Sequence, residues 1–305
     1  MANGLIRIAV LLGGASAERE VSLGSGRNVA AALEQRGHEV VRLDPSCESL
    51  ESLIGRVDII LPMLHGTGAE DGSLQRVLDE QQIPWLGSSA EASALTFDKL
   101  ATRQRLQSCG LPVPPGYSFS RSDLSESIGE TIQSLGWPVV VKPRAQGSSV
   151  GVSIVQTLQE LPAAINEALK WGDSLLIEKF IAGREVTVPV IDGEAYPAIE
   201  IIPSRPWYDY AAKYSDDATQ YVVNPHNVPE EMSGAVVEAC RVCGVSGISR
   251  TDLRVDHNGR FWILEINTIP GMTSHSLVPM SAAAKGISLG ELCEDLLLRR
   301  LGKKG

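Results

Sequence analysis

Arg250, Asp252, Glu265 and Asn267 are the residues whose types and spacing promise chemistry. The stretches Arg250–Asp256 and Arg260–Thr268 alternate as strands do, and His257-Asn258-Gly259 lies between them. Asn-Gly is a strong hairpin signal, because both residues tolerate the positive φ of a type I′ turn. A two-residue turn there pairs His257 with Arg260. Counting outward sets Leu253 opposite Leu264, Asp252 opposite Glu265, and Arg250 opposite Asn267. A four-residue loop keeps this register, and a three-residue loop shifts it by one. Residues two apart share a face, as do opposed residues. Arg250, Asp252, Glu265 and Asn267 therefore cluster on one face. Thr251, Leu253, Val255, Trp262, Leu264 and Ile266 form the other, which packs on a core. Two opposed carboxylates with Cβ atoms about 5 Å apart repel unless a cation or proton lies between them. Asp, Glu and Asn oxygens are hard ligands that suit Mg²⁺ or Mn²⁺, and Mg²⁺ with few protein ligands usually holds substrate phosphates as well. The competing reading is two solvated carboxylates with Arg250 as counter-ion. A hairpin buried on its opposite face favours the metal.

A second element follows Val139–Lys142. Gly147-Ser148-Ser149-Val150-Gly151 can offer successive backbone N–H groups to phosphate oxygens, with Lys142 supplying charge. Alone, such a loop is more often only a turn. Nothing fits G-x-x-x-x-G-K-[ST], which excludes a P-loop NTPase. Gly24-Ser25-Gly26 begins a dinucleotide-like pattern, but its sixth position is Val29 and it falls in an expected helix. Asp44 alone does not make a ribose site. Cys240 and Cys243 read as buried helix cysteines.

The elements that must position these residues read as α/β. Ile6–Leu12, Val40–Leu43, Val57–Leu64 and a short Ile83–Leu86 alternate with helical segments, which implies a parallel sheet. The first helix runs through Val29 and Leu33 and stops near Gly37. This unit closes at residue 96. From 97 to 183 a helix from Lys99 to Gln107 and a Pro-rich connector precede strands at Val139–Lys142, Val150–Val155 and Leu175–Phe180. From 184 to 305 come strands at Val186–Ile191 and Ala198–Ile202, an irregular loop from Tyr208 to Asn224, a helix from Glu230 to Cys243, and the hairpin.

The chain has 305 residues, with 27 Lys and Arg against 37 Asp and Glu. This acidic balance argues against nucleic acid as a partner. No apolar run approaches the ~20 residues of a membrane span. The five cysteines are odd in number and thinly spread, which suits a reducing cytoplasm. Ala15-Ser16-Ala17 imitates a signal-peptide cleavage site, but the apolar core before it is short and Arg7 interrupts its approach.

Seven stretches then carry a resemblance. They are LGGASAEREVSLGSG from Leu12, LHGTGAEDG around His65, DKL at Asp98, VKPRAQGSSVG, LIEKF at Glu178, YDYAAKY at Tyr208, and EINTIPGMTSHSLVPM from Glu265. In this order, over nearly the whole chain, they resemble the D-alanine–D-alanine ligases, ATP-grasp enzymes of peptidoglycan precursor synthesis. The resemblance implies an N-terminal Rossmann-like parallel-sheet domain (1–96), followed by a two-part ATP-grasp fold (97–183 and 184–305). ATP would lie between the last two parts, in a cytoplasmic homodimer that does not engage nucleic acid or membrane.

The resemblance also assigns roles. Asp252, Glu265 and Asn267 hold two Mg²⁺ ions, or Mn²⁺, the set that the hairpin register proposes independently. Lys99, Lys142 and Lys213 contact phosphates. Glu178 accepts from the adenine or hinge region with Lys179 and Ile181 nearby, and Glu185 binds the ribose. Arg250 and the Gly271 N–H stabilise an oxyanion. Glu18 pairs with the ammonium of a first D-alanine, with His65 nearby. Ser276, with Leu277, receives the carboxylate of the second. Glu18, Ser148 and Tyr214 form a hydrogen-bonded trio. Read singly, Glu18 is a helix-start acid, Ser276 an N-cap and Tyr214 a packed aromatic. Lys213-Tyr214 matches the dipeptide-forming members, which implies D-alanine in preference to D-lactate as second substrate. Another ATP-grasp ligase with a different amino acid or peptide would share Asp252, Glu265, Asn267 and Lys142, but not GGASAEREVS or GMTSHS. A dinucleotide-dependent oxidoreductase is disfavoured by the failed glycine pattern. A non-catalytic binding module is disfavoured by intact ligands on both hairpin strands.

Overall fold

Three sheets carry the described residues. The computed structural model describes residues 5–123, 128–205 and 218–303. In the first sheet Arg7–Leu11 lies between Glu39–Leu43 and Ile59–Pro62, all parallel. The expected fourth strand, Ile83–Leu86, shrinks to a single parallel bridge between Trp85 and Ile60. Pro84 offers its carbonyl to Ile60 but has no N–H with which to extend the ladder.

The first sheet is apolar on both faces, as parallel sheets are. Ala9 and Leu11 pack with Leu53, Leu74 and Leu78 on one side. Ile8 and Val10 pack on the other with Val29 and Leu33 of the helix Arg19–Gln35, and with Leu292, Leu296 and Leu297 of the last helix, Leu289–Arg300. The C-terminus thus completes a core begun by the first residues. Buried Glu294 fastens it, accepting from Arg36 Nε at 2.5 Å and lying 2.9 Å from His38 Nε2. Gly26 brings the first helix onto the sheet, since a Cβ there would lie 2.4 Å from the Leu12 Cβ.

The second sheet is antiparallel, in the order Gly116–Ser120, Ser174–Lys179, Val139–Pro143, Ser153–Val155. The last strand begins at Ser153 and not at Val150. Ser148, Ser149 and Gly151 take φ of 49°, 60° and 70°, which no strand accommodates.

In the third sheet Gly183–Ile191 pairs with Ile199–Ile202 on one side and Ile248–Asp256 on the other, and Phe261–Asn267 follows outside Ile248–Asp256. Gln220–Val223 is its far strand, although the sequence there reads as irregular. Tyr221 and Val223 adopt strand geometry by packing beside Ile199, Ile201 and Leu277, a contact that local sequence does not display.

The hairpin corrects the expected turn and preserves the expected site. Its connection is three residues, His257–Gly259, closed by Asp256 N–H donating to Arg260 O at 2.8 Å. Asp256 Oδ1 also accepts from the N–H groups of Asn258 and Arg260, and Gly259 takes φ +76°. That loop shifts the register by one, so Leu253 pairs with Ile263. A bulge at Leu264 restores it, so Asp252 pairs with Glu265 and Arg250 with Asn267. Between turn and bulge the faces exchange. Phe261 and Ile263 join the core with Leu253, Val255 and Ile266, while Trp262 and Leu264, expected there, lie outside it.

Candidate active site

A cleft of about 910 Å³, open to solvent, lies between the second and third sheets. It is lined by Lys99, Lys142, Glu178, Lys179, Ile181, Glu185, Asp252 and Glu265, all expected site residues. Val140, Ile154, Phe180 and Leu264 give it apolar walls, and the bulge is what turns Leu264 inward. Lys142 Nζ lies 2.5 Å from Glu178 Oε2, and Arg103 Nη1 donates to Glu178 Oε1 at 3.1 Å. Glu178 therefore anchors two cations. Beyond it, Arg254 Nη1 lies 3.1 Å from Glu185, and its guanidinium sits 5.5 Å from the centre of the Phe180 ring. Arg254 also donates to the carbonyls of Ile181 and Gly183, fixing the crossing between the two sheets.

Asp98 and Arg144 place Lys99 at the cleft. Asp98 caps the helix Lys99–Ser108, accepting from the N–H groups of Leu100 and Ala101. Arg144 grips the same carboxylate at 2.6–2.9 Å. Lys99 Nζ donates to Gln146 O at 2.8 Å and lies 3.0 Å from Glu265 Oε2. The Gly/Ser loop and the metal-type face therefore meet on one ammonium.

That face is as the register requires. Asp252 accepts from Arg250 at 2.7 and 2.8 Å, from Thr187 Oγ1 at 2.7 Å and from Asn267 Nδ2 at 3.1 Å. Opposed Asp252 and Glu265 are compensated here by Arg250 and Lys99. Among the described residues no three His, Cys, Asp or Glu converge as a complete metal cage. Two carboxylates and an amide, at the edge of a cleft wide enough for phosphates, form the partial oxygen set that suits Mg²⁺.

A smaller polar cleft of about 350 Å³ adjoins it, and Glu265 lines both. Glu18, His65, Glu70, Ser148, Arg250, Asn267 and Gly271 complete its walls. Ser148 donates to Glu18, joining the Gly/Ser loop to the start of the first helix. His65 is held neutral, with its pKa pushed down to about 4. Burial is the main cause and the Arg250 charge adds to it, against a hydrogen bond to Ile269 O. Glu70 is pushed the other way, well above the carboxylate range, by burial and then by the charge of Glu18.

Ser276 stands at the N-cap position but caps nothing with its side chain. Its Oγ accepts from Thr273 N at 2.9 Å and lies 3.0 Å from where a Gly271 Cβ would be, so a side chain at 271 would crowd it. Leu277 opens the helix Leu277–Ala284, with its side chain buried against Ile199 and Ile201. Lys213 and Tyr214 lie outside the described residues.

Sequence reasoning missed Glu70, Arg103 and Arg254. Arg254 follows from the hairpin itself, two residues beyond Asp252 on the same face. Arg103 stands one helical turn from Lys99. The dinucleotide-like glycine pattern forms no ribose site among the described residues. Asp44 is taken by Arg19 and by the Gly14 N–H, and Gly24 to Gly26 lie inside the helix. Among the described residues no helix is long and apolar enough to cross a membrane.

Comparison with known proteins agrees with this geometry. The family model "D-ala D-ala ligase C-terminus" matches residues 106–298. A D-alanine–D-alanine ligase of Actinobacillus pleuropneumoniae serotype 5b is 44% identical over 294 residues, covering 95% of this chain and 97% of that protein. The D-alanine–D-alanine ligase of Bacillus anthracis, solved with ATP, superposes with TM-score 0.83 at 30% identity over 97% of this chain and 98% of that one. The VanG D-Ala:D-Ser ligase of Enterococcus faecalis gives TM-score 0.83 at 28% identity, covering 97% of this chain and all of its own. The fold is ATP-grasp behind a parallel-sheet unit, and the chain belongs to the D-alanine–D-alanine ligase family.

Proposed function

We propose that this chain joins two D-alanine molecules into D-alanyl-D-alanine, converting ATP to ADP and phosphate, for peptidoglycan precursors. One observation carries the reading: Glu265, on the metal-type face, lines both the large cleft and the small polar one. A nucleotide in the first and an amino acid in the second would meet there. The working unit is three parts, 1–96, 97–183 and 184–305. The family resemblance supports a homodimer, and five free cysteines suit the cytoplasm.

A carboxylate is a poor acyl donor, and ATP supplies the remedy. A carboxylate oxygen of the first D-alanine attacks the γ-phosphorus, the bond to the β-phosphate oxygen breaks, and ADP leaves. The deprotonated amine of the second D-alanine attacks the resulting acyl phosphate. The carbonyl π electrons move to oxygen, the attacking nitrogen gives up a proton to solvent, and collapse of that oxyanion expels phosphate. Lys142 and Lys99, which line the cleft, would contact the phosphates, and Lys213 joins them by resemblance. Glu185 and Arg254 lie at its far end, where a ribose would sit, with Lys179, Ile181 and Phe180 beside an adenine. Asp252, Glu265 and Asn267 would hold two Mg²⁺ or Mn²⁺ ions, which neutralise charge on β- and γ-phosphates. Glu18 receives the first substrate's ammonium, beside neutral His65. Ser148 ties Glu18 to the phosphate loop, with Tyr214 as third partner by resemblance. Arg250 and the Gly271 N–H face the oxyanion. Ser276 and the Leu277 N–H, at a helix N-terminus, receive the second carboxylate.

The test is ADP release with ATP and Mg²⁺, using D-alanine, L-alanine, D-alanine mixed with D-lactate, and D-alanine mixed with D-serine as four arms, with product mass as the check. ADP with D-alanyl-D-alanine, lost in Asp252→Ala/Glu265→Ala, is the expected result. D-Serine incorporated in preference to a second D-alanine would move the chain toward the VanG type. Another amino acid active in place of D-alanine would overturn the substrate.

A further inference from the structure

The segment Ile269–Met272 carries the Gly271 N–H and leaves the third sheet just beyond Asn267. Its backbone is held by the first helix and by His65. Met272 N–H donates to Ser25 Oγ at 3.0 Å, and Met272 O accepts from Asn28 Nδ2 at 2.6 Å. On the other side of Gly271, Ile269 O lies 2.9 Å from His65 Nδ1. His65 Nε2 lies 3.3 Å from Ser25 Oγ. A carbonyl only accepts, so Nδ1 carries the ring proton and Nε2 accepts from the Ser25 hydroxyl. The hydrogen bonds then run one way, from Met272 N–H through Ser25 and His65 to Ile269 O. They close a ring around Pro270 and Gly271. Ser25 is fully buried and His65 nearly so, so water does not compete for these bonds. Gly24 admits the approach, since a Cβ there would lie 3.3 Å from Thr273 Cγ2.

We propose that Ser25 and Asn28, acting with His65, are positioning residues that aim the Gly271 N–H at the reacting carbonyl. The inference rests on the reading in which that N–H faces the oxyanion. Such a donor is worth most when its direction is fixed before the charge develops. Both peptide groups flanking Pro270-Gly271 are fixed here by side chains, the Met272 side by Ser25 and Asn28 and the Ile269 side by His65. The tetrahedral oxyanion forms only when the second amine attacks. Loosening the ring should therefore slow dipeptide formation more than acyl-phosphate formation.

The experiment uses the full chain, as wild type, Ser25→Ala and Asn28→Ala. Positional isotope exchange in ATP labelled with ¹⁸O at the β,γ-bridge, dependent on D-alanine, reports reversible acyl-phosphate formation. Steady-state assays give kcat and KM for the dipeptide. In the variants kcat should fall about 10- to 100-fold with KM for ATP within about twofold, so the ratio of exchange to turnover rises. Equal loss of exchange and turnover, or unchanged kcat, overturns the proposal. Asn28 is half-buried, so Asn28→Ala decides the matter if Ser25→Ala does not fold. Absence of D-alanine-dependent exchange in wild type would overturn the underlying reading instead.

Discussion

Glu178→Gln removes the anion that Lys142 and Arg103 share. The three side chains are 7%, 9% and 10% exposed, so water screens their attraction little. At an effective dielectric of about 20, an ion pair near 3 Å is worth roughly 5 kcal/mol before desolvation is subtracted. Breaking such a buried pair from one side usually costs about 3–5 kcal/mol, because the partner charge is left stranded. Here two cations are stranded together. The unliganded protein should therefore lose about 3–5 kcal/mol, or about 6–20 °C in melting temperature at ~2–4 °C per kcal/mol. Arg103→Met in the same chain removes one stranded cation, so the double variant should recover about 2 kcal/mol. Thermal and urea melts of wild type, both single variants and the double variant give the coupling directly. Additivity within ~0.5 kcal/mol would refute the shared-anion account. KM for ATP should rise about tenfold in Glu178→Gln, as Lys142 loses its fixed position.

Two more outcomes rest on local geometry. Folding lowers the His65 pKa from 6.5 to about 4, so the ring adds stability above pH 6.5 that fades as pH falls toward 4, by about 3 kcal/mol in all; urea melts across that window should show a shallower decline in His65→Gln. Gly26→Ala gains up to ~1 kcal/mol in helix propensity but drives a methyl against Leu12, so the net loss should be about 2 kcal/mol, read from melting.

The metal-type face is legible in the sequence because strand alternation and opposed pairing are local rules, and Asp252, Glu265 and Asn267 obey them. The register survives by compensation. Asp256 collects two turn N–H groups and stabilises a three-residue connection, and Leu264 then bulges to return the count. Alternation alone contains neither event, which is why it puts Trp262 and Leu264 on the wrong face. Glu70 and Arg103 show the other limit. Each becomes a site residue only when a distant acid approaches, Glu18 for Glu70 and Glu178 for Arg103. The strand at Gln220–Val223 likewise depends on Ile199, Ile201 and Leu277. Conversely, Ile83–Leu86 looks like a strand by hydropathy while Pro84 withholds the donor it needs.

The last helix has a consequence for synthesis on the ribosome. Ile8, Val10, Val29 and Leu33 reach their final neighbours only when Leu292, Leu296 and Leu297 have been made. At ~5–20 residues per second, that is about 13–50 seconds after the first helix emerges. For that interval one face of the parallel sheet stays partly uncovered. A nascent chain in this state offers an apolar surface to chaperones, and a stop codon placed before Leu289 would leave that surface permanently exposed however well the active-site residues were retained.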